Sequence, residues 1–219
     1  MALTEQISAF LSVNTIAFEI IGYPMSYIEF TGTVCYLWSV WLIAKKNMLT
    51  WPVGIVSVIL FFFLFYQIQL YSDAIEQLYY LGASVYGWWF WKKDMHEDKK
   101  TVTVRLSAKK IILSWIAVTL FLSALTGILM QRVHLILPLL FPEKASYPFI
   151  DALTTIMSFS AMFLMAQKRM ESWVYWIIVD VIGIWLYYVK DVRFISLLYV
   201  ILLGMAVNGL REWRKGMKT

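Results

Sequence analysis

Charge is scarce in this chain. Only 15% of its 219 residues are Asp, Glu, Lys or Arg, while 61% are hydrophobic. A soluble globule of 25.6 kDa is usually nearer half apolar and would have nowhere to hide the excess. Cysteine is almost missing. Cys35 stands alone, which excludes an intrachain disulfide and a cysteine-built zinc site. The two histidines, His96 and His134, both read as loop residues. No G-x-S-x-G elbow, metal-ligand cluster or ATP-binding motif is present. Hydrolytic and metal-dependent chemistry therefore lack residues to carry them, and no cofactor is expected. A basic leader segment is missing too: Glu5 and Glu19 interrupt residues 1–22, which do not read as a secretory signal.

What the chain has in abundance is apolar length and aromatic rings. Seven apolar segments can be drawn, at about 26–44, 51–70, 73–91, 110–130, 148–166, 172–189 and 193–211, each near the twenty residues that cross a bilayer. Eleven Trp and thirteen Tyr suit the membrane–water interface. Residues 1–24 read as an interfacial helix ending at Gly22-Tyr23-Pro24, with Ile7, Phe10 and Leu11 on one face.

The sequence pI of about 9.2 invites a nucleic-acid reading, but the cations sit in clusters between spans and form no single patch. No nucleic-acid partner is expected. Sorting them over seven spans puts 15 Lys and Arg on one side, from Lys45 to Lys218, and only Arg132, Lys144, Lys190 and Arg193 on the other. The first side is therefore cytoplasmic, with the N-terminus outside and the C-terminus inside. An even number of spans would destroy this asymmetry.

The chain also repeats itself. Shifted by 122 residues, segment 42–93 aligns with 164–215 without a gap and with 14 identities. These include Lys46/Lys168, Trp51/Trp173, Tyr66/Tyr188, Gly82/Gly204, Gly87/Gly209 and Trp91/Trp213. The expected architecture is all-α, with seven transmembrane helices in a three-plus-one-plus-three parallel repeat. Residues 25–93 form the first unit and 148–215 the second; 94–147 hold a charged cytoplasmic loop, a linker helix and an outer loop. The four paired glycines are expected to let helices approach closely.

Polar side chains inside spans are expensive and normally face a bundle interior or cavity. In the third span Asp73, Gln77, Tyr80 and Ser84 form one helical stripe. Asp151, Thr155 and Ser158 do so in the fifth, and Trp173, Trp176, Asp180 and Tyr187 in the sixth. Asn208 follows Gly204 by one turn in the seventh. These stripes can converge on one central volume. Asp73 and Asp151 also suit helix starts, where a carboxylate complements the dipole. Trp51 and Trp173 equally suit interface anchors, and Pro52 suits either a hinge or a first-turn proline. Asp180 is different, lying mid-helix with no intramembrane cation to pair with. Aromatic faces plus a carboxylate favour a flat or cationic ring, and Asn, Gln, Ser and Thr favour hydroxyls.

Several runs carry a family resemblance. Asn47 to Ile55, with Trp51-Pro52-Val53-Gly54, resembles the N-x-x-x-W-P-x-G-I region of the PnuC nicotinamide riboside transporters. Leu70-Tyr71-Ser72-Asp73-Ala74, followed by Gln77 and Tyr80, is similar to their L-Y-x-D-A-x-x-Q-x-x-Y segment. Tyr86-Gly87-Trp88-Trp89, Thr154-Thr155 and Glu171-x-Trp173-x-x-Trp176-x-x-x-Asp180 match as well, so the likeness covers residues 26–215. The resemblance implies a bundle like full-length SWEET facilitators in the bacterial inner membrane. It further implies uptake of nicotinamide riboside by facilitated diffusion, with trapping by a cytoplasmic kinase that need not bind the transporter. It leaves thiamine, riboflavin or a sugar as alternative cargo, and leaves homo-oligomerisation open. Carried onto matching positions, it points to Trp51, Gln77, Tyr80, Trp176, Asp180 and Asn208 as the substrate site. The aromatics would stack on the pyridinium, Asp180 would complement its charge, and Gln77 and Asn208 would bond ribose or carboxamide. Asp73, Thr155, Ser158, Trp173 and Tyr188 would support the lining.

Overall fold

The computed structural model describes residues 3–20, 22–95, 103–137 and 146–217. Eight helices and one hairpin follow in order: α1 Leu3–Leu11, β1 Ile16–Ile20, β2 Tyr23–Ser26, α2 Tyr27–Ala44, α3 Thr50–Gln67, α4 Tyr71–Met95, α5 Lys109–Ile136, α6 Pro148–Ala166, α7 Ser172–Val189 and α8 Arg193–Lys215. Two compact units result. The first holds residues up to Thr103 together with Asn208–Thr219, and the second holds Val104–Val207.

The N-terminal segment differs from the expected single helix. α1 stops at Leu11, and β1 pairs antiparallel with β2. The turn falls at Gly22, whose φ of +77° suits glycine. Glu19 and Pro24 face each other across this hairpin. Ser26 then caps α2, its Oγ accepting from the Glu29 amide at 3.4 Å, the spacing of a capping box. Tyr23 donates to Glu29 Oε1 at 2.7 Å. Burial first, and the Glu29 carboxylate second, push the Tyr23 phenol up to about 12, so it remains a donor across the physiological range.

Within the first unit, α2 packs on α3 and α3 on α4. Hydroxyls bond to backbone carbonyls across the α2–α3 seam: Ser57 Oγ to Gly32 O at 2.9 Å and Thr50 Oγ1 to Ser39 O at 2.8 Å. With no water in the hydrocarbon, such bonds and small residues hold helices together. Gln67 reaches the N-terminal segment, donating to Leu11 O at 2.7 Å and accepting from the Val13 amide at 3.1 Å. Leu11 and Val13 cover the Ile28, Leu60 and Leu64 cluster below.

In the second unit, α5 packs on α6 and α6 on α7. α5 buries only Thr119, Ser123 and Gly127, one face at i, i+4 and i+8. Thr119 Oγ1 lies 3.1 Å from Ser160 Oγ and 3.3 Å from the Tyr175 hydroxyl. Gly127 leaves room for the Phe149 ring, which a Cβ there would strike. The linker helix is thus bonded into the second unit.

Among the described residues, six helices are long and apolar enough to cross a membrane: α2, α3, α5, α6, α7 and α8. α4 is not among them. Asp73, Glu76 and Gln77 dilute its hydropathy even though it is 25 residues long. His134 belongs to the last turn of α5 instead of a loop, whereas His96 lies outside the described residues.

Helix ends recur at the sequence offset. α3 spans 50–67 and α7 spans 172–189, so both ends differ by 122. The left-handed residues follow the same rule: Lys46 (φ 57°) with Lys168 (60°), and Gln69 (62°) with Asp191 (58°). Each closes a helix by paired amides. Gln69 N bonds Tyr66 O and Leu70 N bonds Phe65 O, while Asp191 N bonds Tyr188 O and Val192 N bonds Tyr187 O. This is the Schellman pattern, whose left-handed position normally takes glycine. Gln69 is exposed, so Gln69→Gly should relieve strain and stabilise the chain by about 1 kcal/mol. An upward shift of the thermal transition in detergent is the expected reading; a downward one would contradict the assigned cap.

Candidate functional site

The six expected site residues divide between the units. Trp51, Gln77, Tyr80 and Asn208 belong to the first, and Trp176 and Asp180 to the second.

Trp51 starts α3 and is 2% exposed. Its ring fills the notch at Gly87 of α4, where any Cβ would overlap it. Its centroid lies 5.3 Å from that of Trp91, at 85°. Trp91 in turn meets Trp213 at 6.2 Å, and Trp213 Nε1 donates to Ile43 O at 3.0 Å. Trp51 Nε1 has no acceptor among the described residues. The Trp51 ring is thus packed between Gly87 and Trp91. Gln77 and Tyr80 lie elsewhere on α4: Gln77 is ten residues from Gly87, about 15 Å along the axis. Gln77 is buried, with Nε2 3.4 Å from Asp73 O on its own helix. Tyr80 is half-buried, its ring edge-on to Tyr79 at 5.7 Å. Asn208 is exposed on α8. Asp73 is half-buried in the first turn of α4.

In the second unit, Trp176 is half-buried and leans on a cluster of Met157, Ala161, Leu164, Tyr175 and Val179. One turn on, Asp180 is 3% exposed. Its carboxyl has neither hydrogen bond nor ion pair among the described residues. A buried carboxyl without a partner is costly, which sets Asp180 apart from the ion-paired Asp151 and Asp191 of this unit. Asp151, also a candidate lining acid, pairs instead with Lys190 at 3.3 Å, both partly exposed. Thr155 is half-buried and Ser158 buried on α6. Trp173 is buried like its counterpart Trp51, while Tyr188 is 69% exposed at the end of α7.

Not every glycine expectation holds. Gly87 admits an aromatic ring, but Gly82 and Gly204 have nothing within 4 Å of a built Cβ. Close helix approach does not explain them. The sequence reading also missed a polar clamp. The charged segment, expected to be a solvated loop, is pinned at Arg105–Ser107. Arg105 N bonds Lys168 O at 3.0 Å, Met170 N bonds Arg105 O at 2.9 Å, and Ser107 N reaches Glu171 Oε2 at 3.4 Å. Partners 64 residues apart leave no local spacing to read. The Thr119, Ser123 and Gly127 stripe was missed as well, although its i, i+4, i+8 spacing is the signal that finds it. Among the described residues no group of His, Cys, Asp and Glu could hold a metal ion.

Gly87→Val should displace Trp51 and cost about 1–3 kcal/mol as overpacking. Tryptophan emission should shift to the red as the indole gains water; an unshifted spectrum with full stability would refute the notch.

Comparison with known proteins agrees with this architecture. The family described as nicotinamide mononucleotide transporter matches residues 26–215. The nicotinamide riboside transporter PnuC of Escherichia coli (strain K12) is 31% identical over 209 residues, covering 88% of this chain and 87% of the relative. The riboflavin/roseoflavin transporter RibM of Streptomyces davaonensis is 25% identical over 203 residues, covering 92% and 91%. A crystal structure of the vitamin B3 transporter PnuC superposes with a TM-score of 0.71 at 22% identity, covering 100% of this chain and 93% of that one. Its fold is shared. The chain therefore belongs to the nicotinamide mononucleotide transporter family, the family of PnuC, and is an inner-membrane transporter, not an enzyme.

Proposed function

We propose that the chain takes up nicotinamide riboside by facilitated diffusion with alternating access, and that cytoplasmic phosphorylation traps the product. The observation that carries this reading is Asp180, buried and unpartnered one turn from the Trp176 ring. A permanently cationic pyridinium supplies the missing counter-charge, and an indole supplies the stacking face. Trp51 and Trp173 act in this reading as packing anchors, not as stacking surfaces. Passive transport is supported by the lack of an ATP-binding motif in the sequence. The relatives named as nicotinamide riboside transporters point to the same cargo.

The proposed topology has seven spans in a three-plus-one-plus-three parallel repeat, with α4 as the seventh crossing. Its 25 residues reach about 37 Å, enough for the hydrocarbon core. Only that crossing preserves the cation asymmetry, and it places the N-terminus outside and the C-terminus in the cytoplasm. In a Cys35→Ser background, Gln69→Cys and Lys93→Cys should react with an impermeant maleimide from opposite sides. Labelling of both from one side would remove α4 from the membrane.

A second cargo has its own support. The likeness to RibM makes riboflavin, also a flat ring bearing hydroxyls, the alternative. Riboflavin is uncharged, so Asp180 separates the two. In proteoliposomes, Asp180→Asn should reduce nicotinamide riboside uptake about tenfold or more, the equivalent of one lost charge interaction. Wild-type uptake of riboflavin but not nicotinamide riboside would overturn the first reading. Glucose and thiamine complete the panel.

A further inference from the structure

The surroundings of Asp180 contain a contact that the motifs do not mark. Trp176, Asp180, Gly183 and Tyr187 fall at i, i+4, i+7 and i+11, one face of α7. Gly183 forms a notch that receives the ring of Tyr199 from α8: a Cβ at Gly183 would meet Cδ1 and Cε1 of that ring at 2.5 and 2.6 Å. Tyr199 also stacks on Tyr187, with centroids 5.4 Å apart and planes at 19°. It packs on the same Met157, Ala161, Leu164, Tyr175 and Val179 cluster as Trp176. One turn further, Ser196 Oγ donates to Ile184 O at 2.9 Å. α8 is thus held tightly against α7 within a turn of the unpartnered carboxyl. Tyr199 follows Gln77 by 122 residues, so it stands in α8 where Gln77 stands in α4. The second unit uses a ring at the position where the first uses an amide.

We propose that the Gly183–Tyr199 contact is a specificity-determining positioning element. It sets the separation of α7 and α8 beside Asp180, and so keeps the carboxylate placed for a cationic aromatic nucleoside. The inference rests on the reading of Asp180 given above. Its physical basis is geometric. A glycine in a helix interior is less favourable than alanine, and here that cost is offset by a ring seated on backbone. Any side chain at 183 forces Tyr199 outward and moves α8 away from Asp180.

Ligand selectivity tests this directly. The probes are nicotinamide riboside and its uncharged 1,4-dihydro form, titrated by calorimetry against purified full-length protein. Gly183→Ala should weaken the cationic ligand about tenfold while changing the neutral one far less. Tyr199→Leu, which takes the ring out of the notch, should behave like Gly183→Ala. Thermal unfolding checks that each variant is folded; if Gly183→Ala is not, Tyr199→Leu decides. Equal loss for both ligands, or wild-type selectivity in Tyr199→Leu, overturns the positioning role. Unchanged selectivity in Asp180→Asn would instead remove the reading beneath it, so the two failures are distinguishable.

Discussion

Lipid offers helices no hydrophobic reason to associate, because its tails are as apolar as leucine. What remains is close packing, and in this chain packing is arranged around rings seated in glycine notches. Trp51 occupies Gly87, Phe149 occupies Gly127 and Tyr199 occupies Gly183. Each contact joins two helices of one unit at backbone distance and fixes their rotation. Hydroxyls then bond across the seams, as Ser57 does to Gly32 and Thr119 to Ser160. The dispersion gained by a large ring against bare backbone substitutes for the hydrophobic effect.

That arrangement has a consequence for function. Under the proposed function Trp51, seated on Gly87, and the equally buried Trp173 serve as packing anchors. The same proposal assigns the chemistry of the second unit to half-buried Trp176 and buried Asp180. Their setting is stiff, because Tyr175 is bonded toward α5 and Tyr199 is wedged on Gly183. Under the proposed function, that unpartnered carboxyl receives the cationic cargo. It is also costly to maintain without such a role.

The linker helix changes its meaning in three dimensions. As a spare span between repeats it would be a tether. Its Thr119, Ser123 and Gly127 face instead makes it a member of the second unit, and the Arg105–Ser107 segment ties its leading end to Lys168–Glu171. The clamp closes on a left-handed turn at Lys168. Its counterpart turn at Lys46 has the same backbone, so an equal turn has been given different work.

Much of this was readable along the chain. Apolar length located six of the helices that can span a membrane, and the ends of α3 and α7 and their left-handed caps recur at the same offset of 122 as the sequence identities. These are local properties, set by backbone hydrogen bonding and hydropathy within one segment. Family motifs identified the class for the same reason. The hairpin at 16–26 was missed because its alternation is short and Pro24 reads as a helix stop; its pairing depends on Gly22 turning the chain back. Which tryptophans pack and which remain half-open, which glycine receives a ring, and which acid finds a cation were decided only in the tertiary structure. Those outcomes depend on which side chains from distant segments share a few ångströms of space, and no spacing along a single helix encodes that.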